Sequence, residues 1–132
     1  MFKRNKQTEH LDINQQEIST LIGIDITITG ELIGNSVIRV DGKIFGNVKT
    51  DKGIVLGEQG VIEGNIDTKS AIIYGTVNGN VKVQQLEIKK TGKVNGDIKT
   101  ETLEIELGAN YNGKLEMKHL IKTEDKITLP KS

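Results

Sequence analysis

The sequence predicts an all-β protein: a single β-solenoid of about six coils, flanked by short tails. Three observations predict it. A glycine phrase recurs along most of the chain. The apolar residues keep a period of two for tens of residues. Aromatic side chains are nearly absent from the 132 residues, with only Phe2, Phe45, Tyr74 and Tyr111.

The repeat comes first, because a fixed phrase at a spacing of tens of residues marks a stacked architecture. The stretch YGTVNGNVKV (Tyr74–Val83) contains Gly75-x-Val77-x-Gly79. The same phrase appears as Gly30-x-Leu32-x-Gly34, Gly42-x-Ile44-x-Gly46, Gly60-x-Ile62-x-Gly64 and Gly92-x-Val94-x-Gly96, and in altered form as Ala109-x-Tyr111-x-Gly113. Its second glycine advances by 12, 18, 15, 17 and 17 residues. On this alignment the central slot holds Leu32, Ile44, Ile62, Val77, Val94 and Tyr111.

Parity supplies the strands. From Ile22 to Ile66 most apolar residues are even-numbered, among them Ile24, Ile26, Ile28, Ile38, Val40, Val48, Ile54 and Leu56. The intervening positions are largely polar, such as Asp25, Thr27, Arg39, Lys43 and Asn47. Parity flips at DTKSA, at QQ and at KTET, each a polar stretch suited to a turn or bulge. A period of two means strands with one face buried. The glycines share the inward parity, so a side chain there is expected to crowd a tight corner. Strands of a few residues bent at such corners form a coil, and stacked coils pair in parallel. A core of Val, Ile and Leu columns accounts for the missing aromatics. An antiparallel sandwich or barrel would need different turns between its strands rather than one phrase repeated.

The predicted organisation is a tail at 1–18, a solenoid domain at 19–117 and a second tail at 118–132. Beyond Met117 the strand parity and the glycine phrase are both lost.

Composition and motifs exclude several kinds of chemistry. Basic and acidic residues balance at 18 each, and residues 19–117 carry 11 basic against 13 acidic. No basic excess is available to track phosphates. Lys89, Lys90 and Lys93 cluster, but Glu87 and Asp97 flank them. Without cysteine there is no disulfide framework or thiolate metal site. No apolar run is long enough for a membrane-spanning helix. A hexapeptide-type transferase would show a six-residue apolar period and commonly a histidine base, whereas His10 and His119 lie in the tails. Asp51, Glu58, Glu63 and Asp67 are spread among Lys49, Lys52 and Lys69 rather than gathered as a calcium or lyase site. Glu63-Gly64-Asn65 lacks the lysine and following helix of a phosphate loop. The expectation is a protein without catalytic residues, metal or cofactor. The alternatives are a monomeric solenoid binding module and a solenoid enzyme acting on carbohydrate.

ISTLIG (Ile18–Gly23), IRVDGKIFGNV (Ile38–Val48), VIEGNI (Val61–Ile66) and YNGKLEM (Tyr111–Met117), in that order and spacing, resemble the bactofilin family. The resemblance covers about three quarters of the chain. It implies a right-handed parallel β-helix that polymerises end to end without nucleotide. It also implies a bacterial cytoskeletal scaffold, often associated with the membrane and recruiting protein partners. The family often carries Phe where this chain has Tyr111.

Two regions are the expected functional surfaces. Open solenoid ends present unpaired strand edges, so the assembly interface is expected at Leu21, Ile22 and Ile24 on one end and at Tyr111, Leu115 and Met117 on the other. The N-terminal MFKRNK combines Met1 and Phe2 with Lys3, Arg4 and Lys6, and no acid precedes Glu9. A bulky apolar pair beside three cations suits insertion at an anionic lipid interface. Short N-terminal membrane-targeting peptides of this kind are also what the resemblance implies. The expected location is therefore the cytoplasmic face of the cell membrane, with the chain itself as principal partner and no nucleic acid.

Overall fold

The computed structural model describes residues 18–120, with side chains described as far as Met117. Among these residues there are seventeen strands and no helix. Coil one holds β1 (Ile18–Ile22), β2 (Thr27–Thr29) and β3 (Leu32–Gly34). Coil two holds β4 (Val37–Val40), β5 (Lys43–Phe45) and β6 (Val48–Thr50). Coil three holds β7 (Gly53–Leu56), β8 (Val61–Glu63) and β9 (Ile66–Asp67), and coil four β10 (Ser70–Ile73), β11 (Thr76–Asn78) and β12 (Val81–Lys82). Coil five begins with β13 (Gln85–Ile88) and β14 (Lys93–Asn95). The long β15 (Ile98–Ile105) turns a corner, closing coil five and opening coil six, which ends with β16 (Asn110–Asn112) and β17 (Leu115–Leu120).

Every strand pairs in parallel with its counterpart one coil away, giving three faces. The first face stacks β1, β4, β7, β10, β13 and the second half of β15. The second stacks β2, β5, β8, β11, β14 and β16. The third stacks β3, β6, β9, β12, the first half of β15 and β17. β17 runs to Leu120, three residues past the expected end of the domain, and pairs His119 with Thr102 and Leu120 with Leu103.

The register corrects one sequence expectation. On the second face Thr27, Lys43, Val61, Thr76, Lys93 and Asn110 are successive partners, so the coils advance by 16, 18, 15, 17 and 17 residues. The partner of Ile44 is Ile28, not Leu32. Leu32 instead pairs with Val48 on the third face. The phrase at Gly30–Gly34 is thus offset by four residues, and its true equivalent in coil one is Ile26-x-Ile28-x-Gly30.

The glycine geometry explains why coil one can depart from the phrase. A Cβ on Gly42 would strike the carbonyl oxygen of Ile26, and one on Gly96 would strike that of Gly79. The obstacle is the backbone of the preceding coil, met along the solenoid axis, rather than the inward crowding expected from sequence. Coil one has no preceding coil among the described residues, so Ile26 is accommodated where coils two to five carry Gly42, Gly60, Gly75 and Gly92; coil six has Ala109 there.

Inward side chains form unbroken columns of apolar contact. One runs Val40, Leu56, Ile73 and Ile88, another Ile44, Ile62, Val77 and Val94, and a third Val48, Ile66, Val81 and Ile98, all fully buried. Stacked Val, Ile and Leu of this kind stabilise by roughly 1.5–3 kcal/mol per buried side chain. Outside the core, a ladder locks one corner. The side-chain oxygens of Asn47, Asn65, Asn80 and Asp97 accept the backbone N–H of Asn65, Asn80, Asp97 and Lys114 at 2.9, 2.9, 3.0 and 3.2 Å. A second ladder on the second face runs from the Asn112 amide to Asn95, from Asn95 to Asn78 and from Asn78 to the Glu63 carboxylate.

Candidate assembly ends

Several core columns lose cover at the two ends of the solenoid, although Ile22 and Leu103 stay buried. At the N-terminal end Ile28 and Leu32 are half-buried, whereas their partners Ile44 and Val48 are fully buried. At the C-terminal end Ile105, Tyr111, Leu115 and Met117 are half-buried, against fully or almost fully buried Ile88, Val94, Ile98 and Thr100 one coil earlier. Apolar surface next to strands without a further partner is the combination that promotes edge pairing.

The sequence-predicted residues divide between these ends. Ile22 is buried at the head of its column, and Ile24 is exposed at the neighbouring corner. Leu21 is exposed but pairs with Arg39, whose side chain points away from the core, so Leu21 faces sideways from coil one. Tyr111, Leu115 and Met117 do lie together at the opposite end, packed against the core. Sequence reasoning missed Ile26, Ile28 and Leu32 at the first end and Ile105 at the second. The signal was present in the parity, but the offset phrase assigned Leu32 to a different face.

Tyr111 is turned inward. Its hydroxyl is buried and makes no hydrogen bond. The Ile98 amide, which tends to lower the phenol's pKa, is already donated to the Lys114 carbonyl at 2.9 Å. Burial raises the phenol above its ordinary range, and the Asp97 carboxylate adds to the effect.

The sides are charged, with ion pairs at two places. Arg39 meets Asp41 at 3.1 Å. Lys89 meets Glu87 at 2.9 Å and Glu106 at 3.8 Å. Partial burial works against the Lys89 charge, but the two carboxylates outweigh it and its pKa is raised. A cleft of about 860 Å³ along the third face is bordered by Lys82, Lys99, Lys114, Asp97 and Glu116. Lys82 and Lys99 are in-register neighbours there, and Glu116 follows Lys99. Among the described residues no group of three or more His, Cys, Asp or Glu could hold a metal ion, and no helix is long and apolar enough to cross a membrane. Met1, Phe2, Lys3, Arg4, Lys6 and His10 lie outside the described residues.

Comparison with known proteins agrees with this geometry. Residues 20–116 match the family described as bactofilin, polymer-forming cytoskeletal. The chain is 30% identical to bactofilin BacP of Myxococcus xanthus (strain DK1622) over 76 residues, which is 57% of this chain and 32% of BacP. The match therefore spans about a third of that relative's length. Among solved structures, a cryo-EM reconstruction of Thermus thermophilus bactofilin double helical filaments matches with a TM-score of 0.73 and 27% identity, covering 74% of this chain and 98% of that one. The solid-state NMR structure of the cytoskeletal bactofilin BacA matches with a TM-score of 0.68 and 31% identity, covering 74% and 93%. A six-coil parallel solenoid with apolar ends, matched over 20–116, places the chain in the bactofilin family of polymer-forming cytoskeletal proteins.

Proposed function

We propose that this protein assembles end to end, without nucleotide, into filaments that lie against the cytoplasmic face of the cell membrane and position other envelope or morphogenesis proteins there. The observation that carries the reading is the partial loss of core cover at Ile28 and Leu32 on one end and at Ile105, Tyr111, Leu115 and Met117 on the other. Burying Ile28 and Leu32 at one end, or Tyr111, Leu115 and Met117 at the other, against a second copy removes apolar surface from water at roughly 25 cal/mol per Å². Support for the filament comes from the family and from the filament structure of the Thermus relative. Scaffolding, rather than catalysis, is the role that the polymer-forming family supports.

Membrane attachment is assigned to Met1, Phe2, Lys3, Arg4 and Lys6. Two inserted side chains contribute about 3 kcal/mol, and each cation about 1 kcal/mol near an anionic surface. One copy therefore binds transiently, and a filament presenting many copies binds by avidity.

Electron microscopy and sedimentation of the purified full chain, in buffer without nucleotide, test the assembly. Filaments are expected, with an axial repeat of roughly 29 Å for six coils at about 4.8 Å, or twice that for head-to-head packing. A chain that stays monomeric at high concentration would falsify it. Deleting residues 1–8 should abolish pelleting with anionic liposomes and leave filaments intact. Pelleting that survives the deletion would move the contact to the coils.

A further inference from the structure

On the second and third faces every described outward side chain of the strands is exposed or half-buried. Lys43, Lys93, Lys49, Lys82 and Lys99 are exposed, and so is Ile33, at 67%. Even the apolar Val61, outward in coil three, is only half-buried. The first face differs. Val55 lies between the inward Ile54 and Leu56, and Ile72 between the inward Ala71 and Ile73, so both point out of the solenoid. Yet Val55 is 2% exposed, Ile72 1%, and Val37, which joins them, 1%. They form a buried cluster separate from the core, and the described apolar residue packed against it is Tyr74. Val55 and Val61 are the same residue type, both outward, in the same coil. Flanking strands alone leave Val61 in partial contact with water, so the first face has an additional cover.

We propose that residues 9–17 of this chain, through Leu11 and Ile13, lie across the outer side of the first face and cover Val37, Val55 and Ile72. Three observations favour this segment over residues 121–132. Ile18, where the described chain begins, is the cross-strand partner of Val37, so the chain enters the described structure beside the patch. The patch extends over coils two to four, and nine extended residues span about 30 Å against the roughly 14 Å that three coils occupy. The other segment follows Leu120, which pairs with Leu103 in coil six. From there it would have to cross coil five, where Gln85 is exposed and Glu87 half-buried. Leu11 and Ile13, two residues apart, fall on one side of an extended segment, the spacing that laying two side chains onto an apolar strip needs. Docked in this way, the segment carries residues 1–8 out beside coils two to four, and the first face becomes the one turned toward the membrane. That consequence rests on the membrane reading above; the docking itself does not.

The protein has no cysteine, so one introduced thiol reports on the patch. In the full-length Val55→Cys variant, kept dilute enough to be unpolymerised by sedimentation, labelling by a soluble maleimide should be slow. Adding Leu11→Ser and Ile13→Ser should speed it about a hundred-fold, the factor that corresponds to roughly 2.7 kcal/mol, with the β circular dichroism unchanged. Deleting residues 121–132 from the Val55→Cys variant should leave the slow rate as it was. Fast labelling of Val55→Cys alone, an unchanged rate in the triple variant, or release by the 121–132 deletion would each overturn the docking. Protection that returns in the triple variant only as concentration rises would assign the cover to a second copy and overturn it as well. Because no lipid is present, a failure here is distinguishable from a failure of liposome pelleting.

Discussion

Axial stacking of glycine on glycine makes a quantitative prediction, because four glycines separate its two ingredients. Gly96 has φ +151°, in the region L-residues avoid, and a Cβ there would meet the carbonyl group of Gly79, with the carbonyl carbon at 2.6 Å. Gly30 has φ +127° but nothing within 4 Å of the added atom. Gly79 has no such φ, yet its Cβ would meet the Gly64 carbonyl. Gly34 has neither constraint, its nearest neighbour being the Ile38 Cδ1 at 3.7 Å. Backbone strain costs about 1–3 kcal/mol, and forcing an extra methyl against packed atoms costs another 1–3 kcal/mol or so. Substitution by alanine should therefore cost about 2–6 kcal/mol at Gly96 and about 1–3 kcal/mol at each of Gly30 and Gly79. At Gly34 it should be neutral, or favourable by up to about 1 kcal/mol through the unfolded chain.

The assay is urea unfolding followed by far-ultraviolet circular dichroism. Sedimentation must first establish an unpolymerised sample, because assembly would add concentration-dependent stability to every variant. In thermal terms the Gly96→Ala variant should melt at least about 8 °C below wild type, at 4 °C or more per kcal/mol for a domain of this size. Equal stability of the Gly96→Ala and Gly34→Ala variants would refute the stacking argument. So would a harmless Gly79→Ala beside a costly Gly30→Ala, since that would leave φ alone as the reason for glycine.

The remaining predictions concern the ends and the ladders. Tyr111→Arg places a charge in the apolar C-terminal end, where docking a second copy would have to desolvate it, so the protein should keep its β spectrum and form no filaments under the microscope; normal filaments would remove Tyr111 from the interface. Tyr111→Phe removes a buried hydroxyl that has no hydrogen-bond partner, and should be neutral or stabilising by about 1 kcal/mol in urea titrations. The same phenol has a raised folded-state pKa, so its contribution is fully present below the ordinary value of about 10 and is lost as pH rises through the folded value. Wild type should consequently lose stability relative to Tyr111→Phe only in the alkaline range, and parallel pH–stability curves would contradict this. Asn80→Ala strips the Asp97 N–H of its acceptor and should cost about 0.5–1.5 kcal/mol in the same titration. Asn112→Ala, which removes one exposed rung at the end of the other ladder, should cost less.

The fold was legible because one physical requirement is written into the chain many times. Each coil must bury alternate residues, so parity survives any single exception. Each corner must admit the backbone of its neighbour, so glycine recurs in a column. Coil one was misaligned for the same reason. Ile26 stands where coils two to five carry glycine, since the constraint comes from a preceding coil that coil one lacks among the described residues. The pattern then found its next glycine pair, Gly30 and Gly34, and shifted the register by four residues. Tyr111 was found by breaking the column of aliphatic residues, but the direction of its ring was not readable. That depends on space left inside the last coil, where the hydroxyl turns inward instead of along the axis.

The outer side of the first face shows the limit of reading by parity. The runs Ile54-Val55-Leu56 and Ala71-Ile72-Ile73 have no polar residue between their inward positions. A strand with apolar residues on both faces is one that is covered on both, and the structure buries all six. Parity alone scored the inward members and passed over Val55 and Ile72, because an apolar residue of the outward parity does not disturb the inward pattern. The same physics separates the two kinds of apolar surface in this molecule. At the ends the core columns stop, and the exposure they leave repeats on each copy and can be met by another end. On the first face the apolar strip is already out of contact with water within one chain. Filament growth therefore draws on the ends rather than on this side strip.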